Sequence, residues 1–426
     1  MSEDYRAMWQ DLGLDLAAHD ALLSVLGKAY GDIYMSQKNR PQGMGYFDFV
    51  MSEVHGLRIR ELLDEKAAGR KIIGSYCVFV PEEIALAGNA TLVGLCAGAD
   101  FAVEEVHRFL PANTCALIKS SFGFKLGKVC PYLEAADMIV GENTCDGKKK
   151  AYEILGLLVK NLYVMDLPQM KSAEGRALMK AEFTKFLKAV ENLTGKTISV
   201  ESLKSGIATV NAKRKALHRL ARLRAADPSP ISGLDALLVN QVSFYDNPAR
   251  FTESVNKICD ELSQRIRDGI GVCPRGAARL LLSGCPMAVP NWKVPALVES
   301  LGAVIVGEEL CTGERGVRNL VDDSADTVDG LIEALVDRYF QVDCAVFTPN
   351  PDRVSHVEQM GKDYSADGVI HYSLQFCTPY LMESGGLAGA LSARKLPVLR
   401  LETDYAAEDM GQISTRVGAF LETIAR

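Results

Sequence analysis

The chain has no CxxC pair among its eleven cysteines and no HExxH among its six histidines. The first absence removes support for ribbon or finger zinc sites, and the second for a helix-borne zinc pair. There is no GxxxxGK[ST] loop either, so the chain need not bind ATP itself. Basic residues are not in excess: 47 Lys and Arg stand against 54 Asp and Glu, a net charge of −7, which argues against a nucleic-acid partner. No apolar run approaches the length of a bilayer span. The first residues, Met1-Ser2-Glu3-Asp4-Tyr5, carry no basic region followed by an apolar core, so no secretory leader is expected. Together these predict a cytoplasmic protein with no membrane partner. In that reducing setting cysteines are more often metal-binding, catalytic or inert than disulfide-bonded. If metal is bound, thiolate is the ligand, which favours iron–sulfur over hard cations.

What is present is 426 residues, 48% of them hydrophobic, enough for two or three domains with real cores. The texture predicts four parts. Residues 1–66 carry apolar positions at three- and four-residue spacing and read as a helical cap. Residues 67–170 alternate strands with helices: Lys71 to Cys77, Ala90 to Cys96 and Ala136 to Val140 are strand-like, and Asn161 to Met165 adds another. Val80-Pro81-Glu82-Glu83 opens a helix with Pro first and acidic residues in the first turn, as helix starts prefer. Residues 171–272 are helical and charged. Within them Val210 to Ala226 holds Lys213, Arg214, Lys215, Arg219, Arg222 and Arg224, either a solvated face or a docking face for an acidic partner. Residues 273–426 return to alternation, with strands at Leu280 to Cys285, Val304 to Cys311, Gly368 to Tyr372 and Pro397 to Leu401. Strands alternating with helices mean parallel sheets covered on both faces. The fold class is therefore α/β: two similar open parallel-sheet domains, flavodoxin- or Rossmann-like, with a cleft between them.

One stretch organises the rest. Ala136 to Val140 reads as a buried strand, and Ala151 to Leu158 has helical spacing, so Cys145 lies on a turn from strand to helix. Open α/β sheets place ligands at such turns. Lys148, Lys149 and Lys150 crowd the helix start, where the dipole disfavours cations, which suggests compensating negative charge nearby. A solvated turn with a structural cysteine is the plainer alternative. Both halves repeat the cysteine order: Cys77, Cys96, Cys115 and Cys145, then Cys285, Cys311, Cys344 and Cys377. Each falls at or just beyond a strand, or at a helix entry. Two similar halves facing each other would point both sets at one cleft, where free thiols make sense if a metal uses them. Buried free cysteine without metal is the competing explanation. Cys130 and Cys259 fall outside the repeat and read as structural.

Several separated motifs, in order, carry a resemblance. Tyr76-Cys77 with Val80-Pro81-Glu82-Glu83, Asn143 to Lys150, Cys311-Thr312-Gly313-Glu314-Arg315, and Phe376-Cys377-Thr378-Pro379-Tyr380 resemble the 2-hydroxyacyl-CoA dehydratase and benzoyl-CoA reductase family. The resemblance runs from about residue 70 to the end of the chain. It implies a [4Fe–4S] cluster held between two α/β domains by Cys115, Cys145 and Cys377. The extra thiols Cys96, Cys311 and Cys344 would make six ligands, as in the double-cubane cluster branch, where two [4Fe–4S] units share a sulfide to give [8Fe–9S]. Cys77 and Cys285 are alternatives to Cys96 or Cys311. The resemblance further implies electrons from a separate homodimeric ATPase carrying its own [4Fe–4S] cluster, pairing of this chain as a homodimer, and reduction of small molecules such as acetylene. A dehydratase subunit with one [4Fe–4S] cluster and a non-catalytic iron–sulfur carrier are the alternative readings. Three further residues are candidates for catalysis. His371 shares strand parity with Ser373, Gln375 and Cys377 and could donate protons, or be a satisfied buried histidine. Arg315 could offset cluster charge. Lys148, next to Cys145, is the best placed for that role.

Overall fold

The computed structural model describes residues 5–424. Met1 to Asp4, which enter the expectation of no leader, lie outside the described residues. Among the described residues eight strands form two sheets. β1 (Lys71–Ser75), β2 (Ala90–Gly94), β3 (Met138–Glu142) and β4 (Leu162–Met165) are all parallel, in the order β2-β1-β3-β4. β5 (Arg279–Gly284), β6 (Val304–Glu309), β7 (Gly368–Leu374) and β8 (Val398–Thr403) are parallel as well, in the order β6-β5-β7-β8. The second sheet therefore repeats the first strand for strand: β5 corresponds to β1, β6 to β2, β7 to β3 and β8 to β4. The protein is α/β with two similar open parallel sheets.

Parallel strands need long crossovers, and the helices that supply them cover the sheets. β3, β5, β6 and β7 are buried along their whole length, so their sequences are apolar runs without alternation. The edge strands β4 and β8 are partly exposed and more mixed. In each sheet the chain goes from the first strand to one side and then returns to the other. That reversal opens a crevice at the carboxyl ends of β1 and β3, and again at β5 and β7. At the end of β5 the turn requires glycine: Gly284 has φ of +134°, and a Cβ there would lie 1.9 Å from the Tyr372 carbonyl.

The helices Leu16–Ile33, Met44–Ser52 and Leu57–Ala67 precede β1, and Ala173–Thr194, Val200–Leu223, Gly233–Val242 and Pro248–Arg267 separate the sheets in sequence. One contiguous core contains Ile73 and Ile139 of the first sheet and Leu282 and Ile370 of the second. Three of the six basic residues in Val210 to Ala226 do not lie on a surface face at all. Lys213 pairs with Glu82, Arg214 with Glu83 at 2.7 Å, and just beyond the helix Arg224 pairs with Glu308 at 2.5 Å. These pairs are internal, and they tie this segment to the helix Glu82–Ala87 that follows β1 and to β6; Lys215 and Arg222 are exposed.

The expected extension of β7 toward Cys377 does not occur. The strand ends at Leu374, and Phe376 takes a left-handed conformation with φ of 63°. The parity that linked His371 to Cys377 is broken at this turn. Among the described residues no helix is long and apolar enough to cross a membrane.

Candidate functional site

The carboxyl ends of the two sheets face a common cavity of about 480 Å³. Seven cysteines line it: Cys77, Cys96, Cys115 and Cys145 from the first half, and Cys311, Cys344 and Cys377 from the second. All six thiols singled out in the sequence are thus brought together, along with the alternative Cys77. Cys285 is fully buried behind the wall, where its Sγ accepts the Leu374 N–H at 3.4 Å. Cys259 is buried in the helix Pro248–Arg267.

The repeat in topology explains the convergence. Cys96 lies two residues beyond β2 and Cys311 two beyond β6. Cys145 lies three beyond β3 and Cys377 three beyond β7. Cys115, Cys145 and Cys377 each stand immediately before a helix, namely Ala116–Leu126, Asp146–Leu155 and Thr378–Ser392. The free N–H groups of those first turns favour negative charge on sulfur, and Cys145 Sγ accepts from Lys148 N at 3.4 Å. Cys344 is the exception, held in a loop between the helices Val328–Tyr339 and Pro351–Asp363.

Two charged networks flank the thiols. On the first-sheet side Lys148 Nζ donates to Glu142 Oε2 at 3.4 Å, and Tyr152 Oη donates to the same oxygen at 3.5 Å. Glu142 is fully buried, with Oε1 unpartnered. Burial pushes its carboxyl up while Lys148 pulls it down; the net direction is up. Lys149 and Lys150 are exposed, the latter paired with Glu153 at 2.6 Å. On the second-sheet side Arg315 is fully buried. Its Nε donates to Glu309 Oε1 at 2.6 Å, and its Nη1 approaches Cys311 Sγ at 3.6 Å and donates to Tyr380 Oη. Arg353 shares Glu309 at 3.2 Å, and both guanidinium groups lie over the Tyr380 ring, at 5.2 and 4.8 Å. Tyr380 Oη lies 3.7 Å from Cys344 Sγ.

His371 does not line the cavity. It is buried on β7, and its Nε2 donates to the Tyr380 carbonyl at 3.2 Å, leaving Nδ1 unpartnered. Burial, reinforced by Arg353, pushes its pKa down to about 3, so the ring is neutral. Arg315 also lies behind the wall and acts through Cys311 and Tyr380.

The donor set fits a soft metal. Burial pushes the Cys77 thiol well up and Cys96 to about 12, and it raises Cys145 and Cys311. At Cys115 the hydrogen bond with Cys377 contributes most and burial adds to it. Thiols held this way ionise when a cation compensates them, and iron does so for thiolate. Among the described residues no three His, Cys, Asp or Glu side chains converge as one metal ion requires.

Sequence reasoning missed Glu142, Tyr152, Glu309 and Arg353. Glu142 falls two residues past the run read as a strand, Ala136 to Val140, and Arg353 reads as one more polar residue of an amphipathic helix. Tyr380 is different: it lies three residues after Cys377, in one of the motifs that carry the resemblance, and that proximity was a usable signal.

The sequence matches a known family and several of its members. Residues 77–424 match the family described as 2-hydroxyglutaryl-CoA dehydratase, D-component. The "Putative dehydratase subunit YjiM" of Escherichia coli (strain K12) is 37% identical over 381 residues, covering 88% of this chain and 96% of the relative. The (R)-phenyllactyl-CoA dehydratase beta subunit of Clostridium sporogenes is 24% identical, covering 84% and 92%. A subunit of the benzoyl-CoA reductase of Thauera aromatica is 23% identical, covering 84% and 92%. The chain with its thiol-lined cavity between two matched sheets belongs to the 2-hydroxyglutaryl-CoA dehydratase D-component family, among dehydratase and reductase subunits.

Proposed function

We propose that this chain is an iron–sulfur reductase component that holds a double-cubane [8Fe–9S] cluster and reduces small molecules of the acetylene kind. The observation that carries the reading is the number and origin of the cavity thiols: seven, drawn from both halves, mostly at matched strand ends. A single cubane uses about four ligands, so most of the second half's thiols would be surplus to it. Cys115, Cys145 and Cys377 form one set of three. Cys311 and Cys344 belong to a second set, completed by Cys77 or Cys96. Cys77 is the better third member, because it lies within electrostatic reach of both Cys311 and Cys344. Cys96 Sγ instead donates to the Tyr76 carbonyl at 3.0 Å.

The cluster would supply storage of low-potential electrons. The residues around it have separate tasks. Arg315 and Lys148 place positive charge beside thiolate sulfur on opposite sides of the cavity. Tyr380 offers a hydroxyl between Cys344 and the two guanidinium groups. His371 positions the Tyr380 backbone rather than meeting substrate. Electrons would come from a homodimeric ATPase with its own [4Fe–4S] cluster, and two copies of this chain would pair in the cytoplasm. The division into 1–66, 67–170, 171–272 and 273–426 is part of the same reading: a cap, two sheet domains and a helical brace.

The names of the relatives favour a second reading, a 2-hydroxyacyl-CoA dehydratase subunit with one [4Fe–4S] cluster. Anaerobic iron and sulfide analysis separates them: about eight irons per chain for the first reading, about four for the second. Acetylene reduction that needs the ATPase, reductant and ATP together completes the test. About four irons with no acetylene turnover would overturn the proposal.

A further inference from the structure

The thiol-lined cavity has a second, smaller space against its wall. This annex measures about 50 Å³. Gly94, Cys96, Tyr245 and Val289 line both spaces, so the two are separated by no more than these residues. On its far side the annex reaches Leu22 and Leu26, one turn apart on the helix Leu16–Ile33 and half-buried at the protein surface.

The annex offers water few partners. Its lining is otherwise apolar, with Met51, Leu95, Ala97 and Phe124 prominent. Each of its five polar side chains has a partner within the protein. His55 Nδ1 shares a hydrogen bond with His19 Nε2 at 3.0 Å. Tyr132 Oη donates to the Val54 carbonyl at 2.7 Å, and Tyr245 Oη to the Cys96 carbonyl at 3.4 Å. Cys96 Sγ donates to the Tyr76 carbonyl, and the Cys130 thiol receives the backbone N–H groups of Tyr132 and Leu133. Water there could use only the spare lone pairs of the two tyrosine hydroxyls and the second His55 ring nitrogen, whereas apolar cavities of modest size stay empty or take small apolar guests. Two other small spaces adjoin the cavity: one, of about 20 Å³, lies against Lys148 and Tyr152, and the other is bordered by Glu82, Lys213 and Arg214 and suits water.

We propose that the annex is a subsite that admits a small, uncharged, apolar molecule from the Leu22–Leu26 rim to the thiol-lined cavity past Tyr245. A thioester or a carboxylate would find neither room nor a polar partner in it. The inference rests on the small-molecule reading for its purpose, while occupancy of the annex is a separate physical claim.

The test uses crystals of the iron-loaded full chain under xenon pressure, then with acetylene added. Xenon is expected between Leu26 and Tyr245, and acetylene is expected to displace it. Leu26→Trp plugs the rim and Ala97→Leu fills the interior; either should abolish that xenon site. Both should leave iron content and the EPR signal unchanged. In turnover both should raise KM for acetylene several-fold at constant kcat, and Leu26→Ala, which widens the rim, should not raise it. Ordered water in the annex, or no xenon in wild type, overturns the proposal. Xenon present but KM unmoved in both filled variants overturns it too. If wild type binds and exchanges both gases there yet reduces no acetylene, the annex stands and the proposed activity is what fails.

Discussion

Cys145 and Cys377 occupy the same place in the two sheets. Each lies three residues beyond its strand, β3 ending at Glu142 and β7 at Leu374, and each immediately precedes a helix. A cluster bridging the halves would take one ligand from each of these turns. Serine keeps the size of the side chain but offers a hard hydroxyl where a soft metal prefers thiolate. Cys145→Ser and Cys377→Ser should each lose most of the iron while far-UV circular dichroism of the apo chain matches wild type. Normal iron in both variants would remove these residues from the ligand set.

Arg315 carries a structural duty beside any electrostatic one. It is fully buried, bonded to Glu309 at 2.6 Å, and Glu309 is buried as well. Removing one member of a buried pair leaves an uncompensated charge, at a cost of about 3–5 kcal/mol. Glu309 keeps Arg353 as a second partner, so Arg315→Met should fall near the low end, about 3 kcal/mol, in urea unfolding of the apo chain. A loss below about 1 kcal/mol would mean that Arg353 alone satisfies Glu309.

The strands were legible because buried parallel strands are written as plain apolar runs, and Lys71 to Ser75 and Arg279 to Gly284 are such runs. The convergence of thiols was legible because the cysteine order repeats with the strand order. The partners of the basic helix were not. Lys213 meets Glu82 from 131 residues away, and no local pattern carries a contact at that separation. The parity argument for His371 failed for a local reason: one left-handed residue, Phe376, ends the alternation between strand and ligand.

The cap holds a pair whose response to acid can be read directly. His19 Nε2 and His55 Nδ1 are 3.0 Å apart. Burial pushes His19 down to about 4 and His55 to about 3. Both are neutral in the fold, while unfolded histidine protonates near 6.5. Above about pH 6.5 neither state binds the proton and the pair is without effect on the pH slope. Below it the unfolded chain binds more protons, so stability falls with pH until the folded rings protonate, near 4 and then 3. Apo protein should therefore melt lower at pH 5 than at pH 7, and His19→Gln should flatten that difference. An equal slope in wild type and variant would place the acid sensitivity elsewhere.

Lys148 and Glu142 set up the last expectation, in which the two partners behave differently. Lys148 Nζ lies 3.4 Å from the buried Glu142, and Lys148 lines the cavity beside Cys145. With a cluster in the cavity, a cation there would favour its reduced, more negative state and so raise its potential. The lysine is not alone, however: burial presses Glu142 toward its neutral form, and Lys148 opposes that pressure. When Lys148 is removed, the opposition goes with it and Glu142 takes up a proton. An ion pair of zero net charge is replaced by a neutral acid of zero net charge. Lys148→Gln should consequently lower the potential by only a modest amount. Glu142→Gln removes the counter-charge and leaves the ammonium unpaired, so it should raise the potential by clearly more. EPR-monitored redox titration of the two variants against wild type measures both shifts. A large drop in Lys148→Gln would show that the carboxylate stays ionised without the lysine, and no rise in Glu142→Gln would show that Glu142 is already neutral beside it; either result overturns the coupled pair.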